Sequence, residues 1–278
     1  MIHAARLALY WCGMVVLALL LGACSIVQGA RLWAPEAGGF EAIQPGLYVE
    51  AGMDASTRAE LRAALLWAHE AVRGAYGEVR SRPVVCACRT ETCYTAFGGR
   101  GSTAKVYGDR ILLSPRGLDR YFLAHEWSHA ELHQRLSIRG YFRVPSWFDE
   151  GLAVVISQTP KHSEAHWQYL VRNDVARPSR DELMRIESLS QWTAAVHRYG
   201  EDQNAKRKAR GEPPVAPLYA AAGHEVRPWL AEAGTGGLLK LIERVNAGDV
   251  FDAAYREVIS RRPPDQAAQT NDIGLGAH

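Results

Sequence analysis

Two histidines and a glutamate near the middle of the 278-residue chain have the types and the spacing of a metal site. Residues 123–129 read LAHEWSH and contain the pattern H-E-x-x-H. Successive helix residues are rotated by about 100°, so His125 and His129 would lie on one face, a turn apart, and could bind a single ion. On a helix this pattern is the signature of a zinc hydrolase, with Glu126 beside the metal.

The segment that carries this pattern is expected to be a buried helix. Residues 118–136 follow a proline and a glycine, and their apolar residues recur at helical spacing. The stripe consists of Leu118, Phe122, His125, His129, Leu132 and Leu136. Burying two histidines and a glutamate is unfavourable unless these groups have partners, and a metal ion is a suitable partner. We therefore predict one zinc ion per chain.

Two other polar residues of this helix are not expected to bind the metal. His133 is rotated by about 80° from His125 and lies roughly 12 Å further along the helix axis, so it cannot share the same ion. We interpret it as a helix histidine with a partner of its own. Glu131 is interpreted as a solvated group or an outer partner of the site.

A second motif, WFDEGLA at residues 147–153, provides a candidate for the missing ligand. A catalytic zinc ion usually takes three protein ligands and a water, so two histidines leave one position open. The motif resembles the W-x-x-E-G-x-A element of the gluzincin metallopeptidases, the clan that includes thermolysin-like and aminopeptidase-N-type enzymes. The resemblance covers roughly residues 110–157, with a weaker likeness to about residue 259, and it implies that Glu150 is the third ligand.

Two departures from the clan's pattern qualify this resemblance. Thermolysin-like members carry an aspartate four residues after the ligand glutamate, which orients a histidine ligand, whereas Val154 stands here. The outer partners of the two histidines are therefore unassigned. Aminopeptidase-N-type members carry a G-x-M-E-N element on the strand before the active-site helix, whereas residues 108–114 read GDRILLS. We therefore do not expect an aminopeptidase.

The resemblance implies a metallopeptidase that hydrolyses peptide or protein substrates, similar to the small peptidase-MA-like bacterial lipoproteins. Glu126 would act as the general base. Tyr219 loosely matches the tyrosine that stabilises the tetrahedral intermediate in many gluzincins, and it equally fits an apolar core stripe. The alternative is a binding or assembly lipoprotein of the cell envelope that keeps zinc without turnover. The intact Glu126 favours the enzyme, because a purely structural zinc site needs no base.

The pattern of elements predicts an α+β fold. A capping box at Thr57 and Glu60 predicts a helix that runs to about Tyr76. Short β-rich runs at residues 83–88, 106–107 and 110–113 predict a small mixed sheet, packed on the H-E-x-x-H helix. Residues 137–260 read as a mainly helical half, as in gluzincins. By the resemblance, the last strand is the sheet edge that pairs with an extended peptide substrate.

The first residues of the chain are expected to be a targeting segment. Arg6 precedes an apolar run over residues 7–21, and residues 21–24 read LGAC, a small-residue cleavage pattern. This resembles a bacterial lipobox, which implies a signal peptide at 1–23 and a lipid anchor on Cys24. Ser25 then implies the outer membrane, facing the periplasm. The alternative is an uncleaved transmembrane helix, although the apolar run is short for a span of about 20 residues.

The remaining chain is assigned to three parts. Residues 24–45 are expected to be a tether or linker, and residues 46–260 the gluzincin-like domain, made of an α/β half (46–136) and a helical half (137–260). Residues 261–278 are expected to be a disordered tail. The net charge of +2 indicates no particular partner. The basic residues at 206–210 lack an aromatic platform, so we expect a solvated loop and no nucleic-acid binding.

Three cysteines of the domain, Cys86, Cys88 and Cys93, are disulfide candidates. They lack a fourth metal ligand nearby, and an oxidising compartment favours a disulfide. Cys93 could pair with either of the other two, and the sequence does not choose between them. The remaining thiol is expected to be a buried strand residue.

Overall fold

The computed structural model describes residues 31–260. The expected signal peptide, the lipidated Cys24 and the expected disordered tail lie outside this range. The described chain divides into two compact units, one made of residues 31–70 and 81–130, the other of residues 71–80 and 131–260. Between residues 31 and 260, no helix combines the length and the apolar character that a membrane span requires.

The first unit contains a mixed sheet whose strands lie in the order β1-β2-β3-β5-β4. The strands are β1 (Phe40–Gln44), β2 (Leu47–Glu50), β3 (Val84–Ala87), β4 (Ala104–Tyr107) and β5 (Arg110–Leu113). The central strand β3 is parallel to β2 and β5, and the two outer pairs are antiparallel. In its coarse form the predicted fold class is confirmed, because a small mixed sheet precedes a mainly helical C-terminal half.

The prediction that the last strand forms the sheet edge is wrong. Strand β5 lies between β3 and β4, and β4 is at the edge. The two strands form a hairpin whose turn includes Gly108 at φ 60°, a conformation that glycine adopts readily. The chain enters this hairpin through β4, and β5 returns beside β3. The order of such short strands depends on pairing that their sequences do not reveal.

Part of the expected linker is folded. Strand β1 lies within residues 24–45, and Leu32, in a short 3₁₀ helix at Arg31–Trp33, is fully buried. Strand β1 pairs with β2 through a turn at Gly46, which has φ 78°. The glycines and proline around residues 35–39 have the composition of a linker, yet the adjoining apolar side chains complete the hydrophobic cluster around Phe97.

Helix α1 (Ala55–Tyr76) begins before the predicted capping box. The Asp54 carboxylate accepts hydrogen bonds from the Thr57 amide at 2.9 Å and from the Thr57 hydroxyl at 2.8 Å. Thr57 therefore donates to the cap instead of forming it. The Ser56 hydroxyl also donates a hydrogen bond to this carboxylate, and it makes the largest contribution to lowering the pKa of Asp54. The two hydrogen bonds from Thr57 lower this pKa further, so that it lies below its usual range.

The disulfide joins Cys88 to Cys93, which resolves the pairing that the sequence left open. Between them, Thr90 caps helix α2 (Glu91–Ala96) by accepting a hydrogen bond from the Cys93 amide at 3.1 Å. Cys86 is the remaining thiol, and it is buried in β3 as expected. Burial raises the pKa of the Cys86 thiol to about 12, so it stays protonated at neutral pH.

Helix α3 (Arg120–Arg135) carries the H-E-x-x-H pattern, and its bounds agree closely with the predicted helix. Asp119 caps its start by accepting hydrogen bonds from the Tyr121 and Phe122 amides at 2.8 and 3.0 Å. The Trp127 indole nitrogen donates to the Ser81 hydroxyl at 3.0 Å. These contacts fix the rotation of the helix within the first unit.

The second unit is helical. Its helices are α4 (Ile138–Tyr141), α5 (Ser146–Ser157), α6 (Glu164–Arg172), α7 (Arg180–Met184), α8 (Leu189–Val196), α9 (Asp202–Ala209), α10 (Pro217–Ala247) and α11 (Phe251–Ser260). Helix α10 is broken at Gly234, whose backbone (φ 60°, ψ −173°) is not helical, so it consists of two helical segments. Most of the basic segment expected to be a loop lies in α9, where Arg207 is buried and its Nε donates to the Pro213 carbonyl at 2.8 Å.

Helix α5, which carries the second motif, is anchored by aromatic packing and by a close helix contact. Trp147 is fully buried and meets the Tyr255 ring edge-on, with 5.4 Å between centroids. Gly151 faces α10, and a Cβ placed there would lie 2.6 Å from Val226 Cγ2 and 2.7 Å from the Ala222 carbonyl oxygen. The tryptophan and glycine of this motif therefore set the position of the helix that bears Glu150.

We expect Gly151→Ala to destabilise the protein by about 1–3 kcal/mol, because the added methyl meets a backbone oxygen that cannot move without shifting α10. Gly236→Ala is the matched control, since no atom lies within 4 Å of a Cβ at that position in the same unit. That change should be neutral or stabilise by about 0.4–1 kcal/mol. Urea unfolding followed by circular dichroism measures both. A Gly151→Ala variant as stable as its parent would contradict this close contact.

Candidate metal centre

The two histidines of α3 face each other at a distance suited to a shared metal ion. Their Nε2 atoms are 3.2 Å apart, and both side chains are buried, with 9% of His125 and 7% of His129 exposed. Two nitrogen ligands at 2.0–2.1 Å from a tetrahedral ion lie about 3.3–3.4 Å from each other. The observed separation therefore fits two ligands of one ion, and it also permits a hydrogen bond if one Nε2 carries the proton.

Glu150 completes a group of three possible ligands. One ligand atom from each of His125, His129 and Glu150 lies within 4.8 Å of the other two. Glu150 lies in the second turn of α5 and is half-buried. Two imidazole nitrogens and one carboxylate oxygen are donors that first-row metal ions accept. The arrangement is compatible with a metal site.

Glu126 lies next to this group in the chain and is itself buried, with 8% exposed. Its charge acts on two groups of the first unit. Burial raises the pKa of Tyr94 to about 12, and Glu126 adds to this increase. Burial also lowers the pKa of Lys105, an effect that Glu126 opposes. The carboxylate thus lies within electrostatic reach of a phenol and an ammonium group.

His133 has a partner of its own, in agreement with the sequence interpretation. Its Nε2 lies 3.0 Å from a carboxylate oxygen of Asp149, the residue before Glu150. The Tyr141 ring meets the imidazole edge-on at 4.8 Å. The Asp149 carboxylate therefore provides the partner of His133 within the second unit.

Glu131 has a structural role and is not solvated. It is fully buried, and both its oxygens accept hydrogen bonds from the Arg80 amide at 3.0 Å. The Arg135 Nε donates to Glu131 at 2.6 Å, and Arg135 also donates to the Glu78 carbonyl at 2.8 Å. The pair connects the end of α3 to residues 78–80 within the second unit.

Tyr219, the expected oxyanion donor, lies in the first turn of α10 and is half-buried. Its ring stacks on His162 with 4.8 Å between centroids and meets Trp192 edge-on at 5.2 Å. These neighbours belong to the helical unit. The contribution of Tyr219 to catalysis stays a prediction.

One further group of possible ligands, Glu50 with Cys88 and Cys93, does not form a metal site. The two sulfur atoms are joined in the disulfide. Glu50 accepts hydrogen bonds from the Arg89 amide at 2.7 Å and from the Thr90 amide and hydroxyl at 2.8 Å. Its carboxylate therefore orders the turn that leads into α2.

No protein-family model matches the chain, and no curated protein matches it. The functional conclusion therefore rests on the geometry of the residues themselves and on the motif resemblance.

The sequence interpretation missed the partner of His133. The partner is Asp149, and its signal was visible, because an acidic residue directly before Glu150 could reach the end of the helix that carries the histidines.

Proposed function

We propose that the protein is a zinc-dependent peptidase, anchored to the cell envelope, in which Glu126 activates the attacking water. The observation that carries this proposal is the 3.2 Å separation of the His125 and His129 Nε2 atoms on the helix that also presents Glu126. The donor set of two histidines and a glutamate is the one found at catalytic zinc sites of thermolysin type. The resemblance of both motifs to gluzincins supports the same conclusion.

The chain's own residues would divide the reaction between them. His125, His129 and Glu150 would hold the ion, which when bound polarises the scissile carbonyl and lowers the pKa of water. Glu126 accepts a proton from the attacking water and returns it to the leaving amine nitrogen. In this proposal the Tyr219 hydroxyl donates a hydrogen bond to the developing oxyanion.

The edge strand of the sheet supports a peptide as the substrate. Strand β4 pairs with β5 on one side, and its other side has no strand partner within residues 31–260. Such an edge presents backbone donors and acceptors to which an extended peptide can add as a further strand. A peptide bound in this way has its scissile bond and side chains in a fixed register.

The proposed location follows from the lipobox-like segment at residues 21–24. A lipid on Cys24 would tether the enzyme to the outer membrane, facing the periplasm. The disulfide between Cys88 and Cys93 supports this proposal, because disulfides persist in oxidising compartments.

Metal removal and replacement test the function directly. We expect the full-length protein, purified in detergent, to contain about one zinc ion per chain, as a single catalytic site requires. Stripping with a chelator should abolish cleavage of a diverse peptide library, and added zinc, but not magnesium, should restore it. Mass spectrometry of the products reports cleavage. Absence of bound zinc would refute the proposal, and zinc without cleavage of any peptide would favour a binding or assembly protein.

A further inference from the structure

Three exposed apolar side chains lie together at helix α4. Ile138 is 82% exposed and Phe142 is 80% exposed, and they are four positions apart around one helical turn, so they lie on the same side. Tyr141 is 45% exposed, and its ring centroid lies 5.3 Å from that of Phe142. In residues 31–260 no other exposed large apolar side chains lie within five positions of each other. Such a cluster marks a surface that binds another molecule.

The backbone beneath these side chains is held by hydrogen bonds within the second unit. Asn246 of α10 accepts a hydrogen bond from the Ser137 amide at 2.7 Å and donates one to the Arg135 carbonyl at 2.8 Å. The Ser137 hydroxyl caps α4 by accepting a hydrogen bond from the Gly140 amide at 3.0 Å. An ordered turn therefore presents the apolar side chains to the outside, and their exposure does not come from a frayed helix end.

Two arginines beside the apolar side chains give this surface a positive charge. Arg139 and Arg143 are exposed, and neither forms an ion pair in the described part of the chain. The chain from residue 132 to residue 148 contains no acidic residue. The surface therefore combines exposed apolar groups with positive charge that no carboxylate neutralises. We call it the basic-aromatic patch, and it consists of Ile138, Arg139, Tyr141, Phe142 and Arg143.

The composition of the basic-aromatic patch fits the surface of an anionic lipid bilayer. Aromatic rings are enriched where lipid headgroups meet the acyl chains, and arginine places its charged end among the phosphates while its stem lies on apolar groups. Basic residues next to a membrane are attracted by anionic lipids. A stable protein interface takes about 20–30 residues from each partner, far more than the patch contains. These properties favour a bilayer over a protein partner.

The proposed anchor keeps a bilayer within reach of the folded chain. Residues 24–30 separate Cys24 from the first described residue, and even fully extended they would span at most about 25 Å. A chain tethered in this way meets lipid headgroups at a high effective concentration, so a weak second contact is sufficient. Stable membrane attachment commonly combines a lipid chain with a basic surface.

We propose that the basic-aromatic patch binds an anionic lipid bilayer, with its three apolar side chains inserted among the headgroups and its two arginines on lipid phosphates. This inference goes beyond peptide hydrolysis. It draws on the proposed membrane location and does not depend on the metal centre. The N-terminal anchor precedes the first unit, and the patch attaches the second unit to the membrane as well.

Hydroxyl-radical footprinting of the unmodified full-length protein tests this inference. The protein is incorporated into vesicles of phosphatidylcholine alone and into vesicles of equal parts phosphatidylcholine and phosphatidylglycerol, and mass spectrometry measures the oxidation of each side chain. Two arginines together favour an anionic surface by about 25-fold, so the oxidation of Tyr141 and Phe142 should fall several-fold in the anionic vesicles. Leu66 and Val171 are exposed outside the patch and should be oxidised equally in both.

Variants of the arginines attribute the protection to the patch. Arg139→Gln combined with Arg143→Gln should lower the preference for the anionic surface by about 25-fold and restore the oxidation. Arg139→Lys combined with Arg143→Lys keeps both charges and should keep the protection. Arg180→Gln is the matched control and should also keep it, because this exposed arginine of the same unit is already paired with Glu225 at 2.7 Å.

Several outcomes would overturn the inference. Equal oxidation of the patch in both kinds of vesicle would do so, as would protection that survives the loss of both arginines. Protection in neutral vesicles that grows with the ratio of protein to lipid would replace the bilayer by a second copy of the chain. A protein that associates with neither kind of vesicle would refute the inference together with the proposed anchor. Zinc content and peptide cleavage of the same preparations report the proposed function separately, because no patch residue belongs to the grouped metal ligands His125, His129 and Glu150.

Discussion

Replacing Glu126 with glutamine is expected to lower peptide hydrolysis by about 10²- to 10⁴-fold, the usual contribution of a general base. The amide matches the carboxylate in size and fits the same buried position, but it cannot accept the proton of the attacking water. Since Glu126 is not one of the three grouped ligands, zinc content should remain at the parental value. Initial rates on the best library peptide, together with metal analysis, measure both effects.

Glu60→Gln is the matched control for this experiment. Glu60 is an exposed residue of α1, so the same chemical change there should leave rate and zinc content unaltered. A Glu126→Gln variant with the parental rate would remove Glu126 from the mechanism. A variant that loses both zinc and activity would show that the carboxylate supports the metal site and does not act as a base alone.

Replacing Glu131 with alanine is expected to lower the free energy of unfolding by about 3–5 kcal/mol, the usual effect of removing one partner of a buried ion pair. Arg135 would keep a buried guanidinium without its carboxylate, and the Arg80 amide would lose its acceptor. This effect is comparable to the total stability of many domains. Chemical denaturation of the purified variant measures the loss.

Two control variants separate the buried charge from the lost side chain. The double variant Glu131→Met with Arg135→Met removes both charges and keeps much of the volume, so it should be markedly more stable than Glu131→Ala. Glu243→Ala disrupts the exposed pair of Glu243 with Lys240 and should cost less than about 1 kcal/mol. A double variant that is no more stable than the single one would show that the uncompensated charge is not the cause.

The sequence could predict those parts of the centre that depend on the spacing of residues within one segment of the chain. The helical period around His125 and His129 predicted α3 to within about two residues at each end, since a buried stripe and a capped start leave few alternatives. The second motif located the helix that bears Glu150, because its tryptophan and glycine are needed for the packing of that helix.

The parts that sequence could not predict depend on pairing between distant segments. Strand β1 was missed because its residues alternate weakly, with only Phe40 buried, and because β2 supplies the pairing. Which of β4 and β5 lies at the edge of the sheet depends on which strand pairs with β3, and that strand is β5. The contact of His133 with Asp149 likewise requires the packing of α3 against α5 within the second unit. The helical periodicity and the turn residues of a sequence do not show which distant segments pair or pack together.

The buried thiol of Cys86 can report how often the sheet opens. It lies on the central strand, near a disulfide that a thiolate could attack, but its high pKa keeps it protonated and unreactive in the folded state. An alkylating reagent can therefore modify it only during moments when the strands separate. The rate of modification therefore reports how often the sheet opens around β3. Comparing the alkylation rate of Cys86 with and without added zinc would show whether metal binding makes opening of the sheet less frequent.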